Sequence, residues 1–250
     1  MSRPLALVTG AGRTAGIAAT VVVRLAESGW DVAFGHWQPY DEKMPWGADP
    51  ETATTLAKTA AAHGARTLAV AADLADPDTP AAMFDKVTGE LGPVTALILS
   101  HAEGVNSTIL NTTVESFDLH FAVNTRATWL LIREYARRFN GPPGAGRILS
   151  FTSDHTVGNL PYGASKGAMD RIVLAAAREL SDLGITANVI NPGPVDTGWM
   201  TEQQKTEIVA ATPLGRLGTP QDCANLITFM CSPAAGWING QTLYSNGGIA

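Results

Sequence analysis

The sequence predicts an α/β fold, a doubly wound parallel sheet of about seven strands with helices on both faces, in a single domain over residues 1–250. Three observations carry that expectation. Short apolar strand-like runs alternate with helical runs along the whole chain, the pattern of repeated βα units. The first strand opens directly into a glycine-rich turn, Gly10-Ala-Gly12-Arg-Thr-Ala-Gly16, followed by an amphipathic helix. No composition shift divides the chain, and Gly141-Pro-Pro-Gly-Ala-Gly146 is long enough only for a connecting loop.

Pro4-Leu-Ala-Leu-Val-Thr9 is an apolar run bounded by glycine and reads as a buried first strand, and Ala18–Ser28 is the helix after the turn, closed by Gly29. Asp31–His36 is the second strand; a helix over 51–62 leads to the third, Thr67–Ala72. A helix over 79–91 precedes the fourth strand, Thr95–Ser100, and a long helix over 114–139 precedes the fifth, Arg147–Thr152. The helix that carries Tyr162 runs to about 183, followed by the sixth strand, Thr186–Ile190. Thr219-Pro220 opens a last helix to Cys231, and Gln241–Ser245 is the final strand.

With 250 residues, 45% hydrophobic and 16% charged, the chain is long and apolar enough for a substantial core. A net charge of −6 and the lack of a basic stripe argue against a nucleic-acid surface. Arg133, Arg137 and Arg138 cluster on one helix, where a solvated or interface face is expected. The chain enters its first strand without a charged n-region and apolar h-region, and its apolar runs fall far below the ~20 residues of a membrane span. Cytoplasm is the expected location, with no membrane contact. The two cysteines, Cys223 and Cys231, lie eight positions apart on one helix. That separation is about 12 Å of rise, too far for a disulfide. No His/Cys cluster suggests a metal, so both are expected to be buried apolar residues.

Two segments point to chemistry. In Leu160-Pro-Tyr-Gly-Ala-Ser-Lys166, the four-residue spacing puts the Tyr162 phenol and the Lys166 ammonium on one face of a helix. A phenol titrates near pH ~10, and a nearby ammonium favours the phenolate, as an enzyme working on a carbonyl/alcohol couple requires. The glycine turn between first strand and first helix suits a dinucleotide pyrophosphate. Gly10, Gly12 and Gly16 let the backbone approach, and the helix N–H groups meet the negative charge.

With those two motifs and the βα alternation, the chain resembles the short-chain dehydrogenase/reductases over essentially its whole length. Further matches are Asp73 after the third strand, Asn124 in His120-Phe-Ala-Val-Asn124, Asn191-Pro-Gly-Pro-Val-Asp-Thr197 after the sixth, and the C-terminal segments 213–222 and 238–248. The subgroup it is similar to is bacterial and 3-oxoacyl-acyl-carrier-protein-reductase-like, sharing Tyr40-Asp-x-x-Met-Pro-Trp46-Gly and Asp196-Thr-Gly-Trp-Met-Thr-Glu202. The resemblance implies a Rossmann-type domain. It implies a hydride exchanged between a nicotinamide cofactor and a carbonyl or secondary alcohol, with a 3-oxoacyl thioester or related ketone as substrate. It assigns proton transfer to Tyr162, and to Lys166 the lowering of the tyrosine pKa and the binding of the nicotinamide ribose. Ser153 takes the carbonyl oxygen, and Asn124 a water that links Lys166 to solvent. Gly10, Gly12, Arg13, Gly16, Ile17, His36, Asp73, Leu74, Ser100, Tyr162, Lys166, Pro192, Gly193, Val195 and Thr197 are the implied cofactor contacts, and no metal is implied.

Several residues depart from the family pattern. Five residues separate Gly10 from Gly16, more than in the commonest form; enoyl-reductase relatives also lengthen this turn, but with a wider Tyr–Lys spacing. Ser100-His-Ala-Glu103 replaces the usual Asn-Asn-Ala-Gly. Ser153 lies closer to Tyr162 than is typical. Ser150 restores the usual spacing but falls inside the fifth strand, which favours Ser153 and places the shortening in the loop 154–160. At the end of the second strand, Gly35-His36-Trp37-Gln38 offers no acid to repel a 2′-phosphate, and Arg13 stands where NADP-using relatives carry a base. NADP(H) is therefore preferred, with NAD(H) the alternative; Lys43 and His36 are lesser phosphate candidates. Trp37, Tyr40, Met44 and Trp46 form an aromatic insertion, read either as a cover for the adenine side or as a subunit contact. Trp199 and Met200 are read as a substrate lid or as core. The resemblance implies a homotetramer, with a dimer as the fallback, and small residues from Gly163 to Ala177, with Met169, Ile172 and Val173, suit the pairing of this helix. An oxidative NAD-dependent alcohol dehydrogenase and a non-catalytic nucleotide-binding sensor or structural protein remain as alternatives.

Overall fold

A computed structural model describes residues 3–249. Its centre is one seven-stranded, all-parallel sheet, ordered β3-β2-β1-β4-β5-β6-β7. The strands are β1 (Leu5–Val8), β2 (Asp31–His36), β3 (Thr67–Ala71), β4 (Ala96–Leu99), β5 (Gly146–Phe151), β6 (Ile185–Asn191) and β7 (Thr242–Tyr244). The helices are α1 (Ile17–Glu27), α2 (Gln38–Glu42), α3 (Thr52–Ala62), α4 (Thr79–Glu90), α5 (Val114–His120), α6 (Ala127–Arg138), α7 (Leu160–Glu179), α8 (Glu202–Ala211) and α9 (Pro220–Cys231). Each expected strand is present, within two residues at either end.

Alternation along the strands splits the core into two layers. Ala6 and Val8 of β1 face α1, α3 and α9, where Val22, Leu25, Leu56, Ile227 and Met230 are buried. Leu5 and Leu7 face the other way, onto Phe84 of α4, Leu131 and Tyr135 of α6, and Met169 and Val173 of α7. Burying each such side chain contributes about 1.5–3 kcal/mol, and the two layers clamp the sheet from both sides. Cys223 and Cys231 are free and buried in the first layer, as expected of small apolar residues.

Three features were not legible as expected. The long helix over 114–139 is interrupted by a π-helical turn, Phe121–Arg126, between α5 and α6. The insertion after β2 forms the short α2, with Pro39 in its first turn, and α8 follows β6 behind a capping box in which Thr201 and Gln204 bind each other's backbone N–H. That box, Thr-x-x-Gln, is a sequence signal for the helix that periodicity alone missed. The interface reading of α7 also needs correction. Met169 is 1% exposed and Val173 is fully buried in the protein's own core, so neither supplies apolar surface for a second subunit. The three arginines of α6 converge instead on the buried Glu134, with Arg138 also bridging to Asp85.

The strand order reverses at β1 and β4: β2 and β3 extend one way, β4 to β7 the other. In such sheets the crevice outside the carboxyl ends of the strands at this switch point is where ligands bind. The two segments singled out by their chemistry end there.

Candidate active site

β1 leaves the sheet through Gly10, whose φ of 83° and tight packing exclude a side chain; a Cβ there would come within 2.7 Å of the His101 backbone and Ser100 O. The turn then delivers the N-terminus of α1. Gly16 at the N-cap supplies no side-chain cap, and no acid sits in the first turn, so the free N–H groups and the positive end of the helix face a cleft of about 820 Å³. That is an anion cradle, and its size and lining suit a dinucleotide. All of the expected cofactor contacts line it: Gly10, Gly12, Arg13, Gly16, Ile17, His36, Asp73, Leu74, Ser100, Tyr162, Lys166, Pro192, Gly193, Val195 and Thr197.

Ser153 and the pair Tyr162/Lys166 line the same cleft. Pro161 sits in the first turn of α7, so the tyrosine enters from the helix start and the lysine one turn on. Lys166 is 2% exposed, its Nζ donates to Phe151 O at 2.9 Å, and it lies 5.7 Å from the Tyr162 ring centroid. Burial pushes the Tyr162 phenol up to about 12 and the Lys166 ammonium down to about 8, the latter opposed by the charge of Asp170. The expectation that Lys166 pulls the phenol down is not met in the protein alone, where desolvation raises it. Asp170 is held by Thr152 Oγ1 at 2.9 Å. Ser153 Oγ accepts the His155 N–H at 3.2 Å, which ties the shortened loop back to the serine. Ser150, in contrast, lies inside β5, fully buried, with Oγ donating to Met169 Sδ at 3.1 Å.

Asn124 is the expected site residue that does not line the cleft. The π-helical turn places it behind the wall, fully buried, with Oδ1 accepting Glu103 N–H at 2.7 Å and Nδ2 donating to Glu103 O and Ser165 Oγ, both at 2.9 Å. Its side chain holds the loop after β4, whereas the resemblance gave it a water next to Lys166. The unusual His101 has a clear role in the same loop. Its Nε2–H donates to Val123 O at 3.1 Å and its Nδ1 accepts from Thr9 Oγ1 at 2.6 Å, a pattern that needs the neutral ring. Burial, and then the Lys166 charge, push its pKa down to about 3. His120 adds a third tie, accepting Val105 N–H on Nε2 at 3.0 Å.

The insertion after β2 does what neither sequence reading described. Tyr40 reaches across to donate to Gly104 O at 3.3 Å, and burial raises its pKa. Asp41 packs so close to Gly12 that a Cβ there would meet its Oδ2 at 2.5 Å, and Trp46 Nε1–H donates to its Oδ1 at 2.9 Å. The cleft thus holds an acid that the end of β2 lacks, its charge met by Arg13. Arg13 itself stacks 4.1 Å above the Trp46 ring and donates from Nη2 to Thr197 O at 2.7 Å. Lys43 lines the cleft with His36 and Trp37, and its charge acts on Glu103. His36 lines the cleft, and burial lowers its pKa. Among the described residues, no group of His, Cys, Asp and Glu could hold a metal ion, and no helix is long and apolar enough to cross a membrane.

A switch-point cleft with a glycine turn at one end and Tyr162, Lys166 and Ser153 at the other defines a nucleotide-dependent oxidoreductase of the Rossmann class. Residues 10–250 match the family model described as enoyl-(acyl carrier protein) reductase. The chain belongs to the short-chain dehydrogenase/reductase family. It is 34% identical over 250 residues to the uncharacterized oxidoreductase YjdA of Bacillus subtilis, covering 98% of this chain and 96% of that one. An NADPH-dependent aldehyde reductase-like protein of Arabidopsis thaliana chloroplasts is 33% identical over 98% of this chain and 93% of its own. Among solved structures, a blue fluorescent protein from a metagenomic library in complex with NADPH superposes with a TM-score of 0.88 at 30% identity, covering 99% of this chain and 98% of that one. A short-chain dehydrogenase/reductase from Serratia marcescens gives 0.87 at 28% identity, over 98% and 97%.

Proposed function

We propose that the protein is an NADP(H)-dependent carbonyl reductase acting on a ketone or aldehyde, the 3-oxoacyl thioesters being the class its subgroup resemblance suggests. The observation that carries this reading is the placement of Tyr162 and Lys166 in the same cleft as the uncapped α1 N-terminus and the glycine turn. Gly10, Gly12, Gly16 and the first N–H groups of α1 would hold the pyrophosphate, and the loop Pro192–Thr197 the nicotinamide end. Bound there, the cofactor supplies or accepts the hydride. NADP(H) is favoured over NAD(H) because the end of β2 carries no acid, because Arg13 and Trp46 engage the Asp41 carboxylate, and because the Arabidopsis relatives and the solved neighbour are named for NADPH.

The residues of the chain divide the rest of the work. Tyr162 delivers the proton to the carbonyl oxygen in reduction and removes it from the hydroxyl in oxidation. A phenol raised to about 12 stays protonated at neutral pH, so the protein is set to donate. The Ser153 hydroxyl, its oxygen already fixed by the His155 N–H, donates a hydrogen bond to that carbonyl oxygen and stabilises its developing charge. Lys166, charged below about pH 8, supplies the positive charge beside the phenol. Asn124 holds Glu103 and with it the wall opposite Tyr162. The retained Tyr162 and Lys166 speak against a non-catalytic nucleotide binder. A homotetramer is the proposed assembly. Trp129 and Phe117 on the α5/α6 face and Tyr244 on the edge strand β7 are exposed large hydrophobic residues that two-fold contacts would cover.

The direct test is NADPH consumption, followed by loss of its dihydronicotinamide absorbance, across a panel of aldehydes, ketones and 3-oxoacyl thioesters. Oxidation that depends on the carbonyl compound, is slower with NADH and disappears in Tyr162→Phe supports the reading. No oxidation with any of the panel, in a protein that binds NADPH, overturns it.

A further inference from the structure

β2 lies on one side of the switch point, yet in the insertion after it Tyr40 reaches Gly104 beside Tyr162 and Trp46 reaches Trp199 of the segment after β6. Three contacts fix Trp46 there. Its Nε1–H donates to the buried Asp41, the Arg13 guanidinium covers one face at 4.1 Å, and its ring meets Trp199 with centroids 4.6 Å apart and planes tilted by 56°. Trp199 belongs to the segment between β6 and α8, which Arg13 also grips through Thr197 O. The far edge of Trp199 then faces Tyr162. A Cβ built on Gly104 would lie 3.5 Å from Trp199 Cη2 and 3.5 Å from Tyr162 Cδ2, and Tyr40 donates to the oxygen of the same glycine.

Resting on the carbonyl-reductase reading, we propose that Trp46 is a positioning residue for substrate choice. It fixes Trp199 opposite Tyr162, and with Tyr40 the two indoles form an aromatic wall that selects flat aromatic carbonyl compounds over saturated ones of the same size. Trp199 is 47% exposed although it is held by Trp46, so about half of its surface is left for a ligand. An indole backed by a second ring, itself held by a charged stack and a hydrogen bond, loses little freedom when a substrate packs on it. Ring–ring contact in offset or edge-on geometry then adds attraction beyond the apolar area covered, which a saturated ring or an alkyl chain does not obtain.

The experiment uses the full chain with NADPH and two matched pairs: phenylacetaldehyde against cyclohexylacetaldehyde, and phenylacetone against cyclohexylacetone. Within each pair size is nearly constant, and the methylene between ring and carbonyl keeps the ring out of conjugation, so the flat π-face is the main difference. For the wild type, kcat/KM should favour the aromatic member by about three- to tenfold, the worth of one or two ring contacts. Trp46→Ala should bring the ratio close to one by lowering kcat/KM for the aromatic member more than for the saturated one, and Trp46→Phe should restore most of the preference. Trp199→Ala, on an exposed loop where folding is not at risk, should abolish the preference as well. A wild-type ratio at or below one, or a Trp46→Ala variant that lowers both members by the same factor, overturns the inference and leaves carbonyl reduction standing. Binding of NADPH without oxidation by any of the four compounds or by the panel above overturns the carbonyl-reductase reading and this inference with it.

Discussion

Asn124 grips Glu103 from both sides: its Oδ1 accepts the Glu103 N–H at 2.7 Å and its Nδ2 donates to the Glu103 carbonyl at 2.9 Å. The side chain thus imitates a strand partner for one residue of the loop after β4, from a position that the π-helical turn pushes against that loop. Replacing it removes both bonds from the half-buried Glu103 backbone and a partner from the buried Ser165 hydroxyl. Asn124→Ala is expected to cost about 2–4 kcal/mol of stability, read as a lowered denaturation midpoint, and to reduce kcat more than it raises the KM for the carbonyl compound. A variant with wild-type stability and turnover would remove the loop-holding role.

The pH behaviour follows from the buried pair. Lys166 in the folded protein titrates near 8, well below a free lysine, so between about pH 8 and its ordinary value the unfolded chain binds more protons and stability rises with pH. Tyr162, near 12, works the other way: above the ordinary tyrosine value the unfolded chain releases its proton first, and stability falls as pH rises toward 12. Activity in the reducing direction should decline above about pH 8 as Lys166 loses its charge. Asp170 raises the lysine, so Asp170→Asn should move that decline to lower pH, which a pH profile of kcat checks directly. An unmoved profile would show that Asp170 has no influence on Lys166.

Ser153 and Ser150 make opposite predictions. Ser153→Ala removes the donor aimed at the carbonyl oxygen and should lower kcat about 10²- to 10³-fold with the fold intact. Ser150→Ala loses only a weak bond to Met169 Sδ inside β5 and should leave kcat within about twofold. Steady-state kinetics on the two variants decides between them; greater damage from Ser150→Ala would move the catalytic serine three residues back, into the fifth strand.

Arg13 holds Thr197 O and the Trp46 ring, and it is also a cation in the glycine turn. If it also meets a 2′-phosphate, Arg13→Ala should weaken NADPH by about 1–3 kcal/mol more than NADH, measured by titration of each cofactor. That excess is the expected result. Equal losses would restrict Arg13 to clasping the segment after β6.

The assembly is open to a physical measurement. Light scattering at micromolar concentration is expected to give four times the mass of the chain, and charge substitutions at Trp129 and Tyr244 should break it down to smaller species. A stable monomer would leave both exposed faces without a subunit partner.

By itself the sequence determined the layers and most of the chemistry. Apolar strand runs alternating with helices bury their faces in a parallel sheet covered on both sides, and a glycine turn between the first strand and the first helix leaves free N–H groups that suit an anion. Tyr162 and Lys166 were legible because four-residue spacing fixes two side chains on one helix face whatever surrounds it. What only the tertiary structure decided is where distant segments meet. No local pattern says that Asn124 spends its amide on Glu103, that His101 is locked neutral between Thr9 and Val123, or that burial sets Tyr162 near 12 and Lys166 near 8. Nor does one say that Trp46 travels from the end of β2 to Trp199. Spacing along the chain governs neighbours within an element. Desolvation and contacts between elements depend on how the sheet and its loops close over one another, and that is settled only when the whole chain packs.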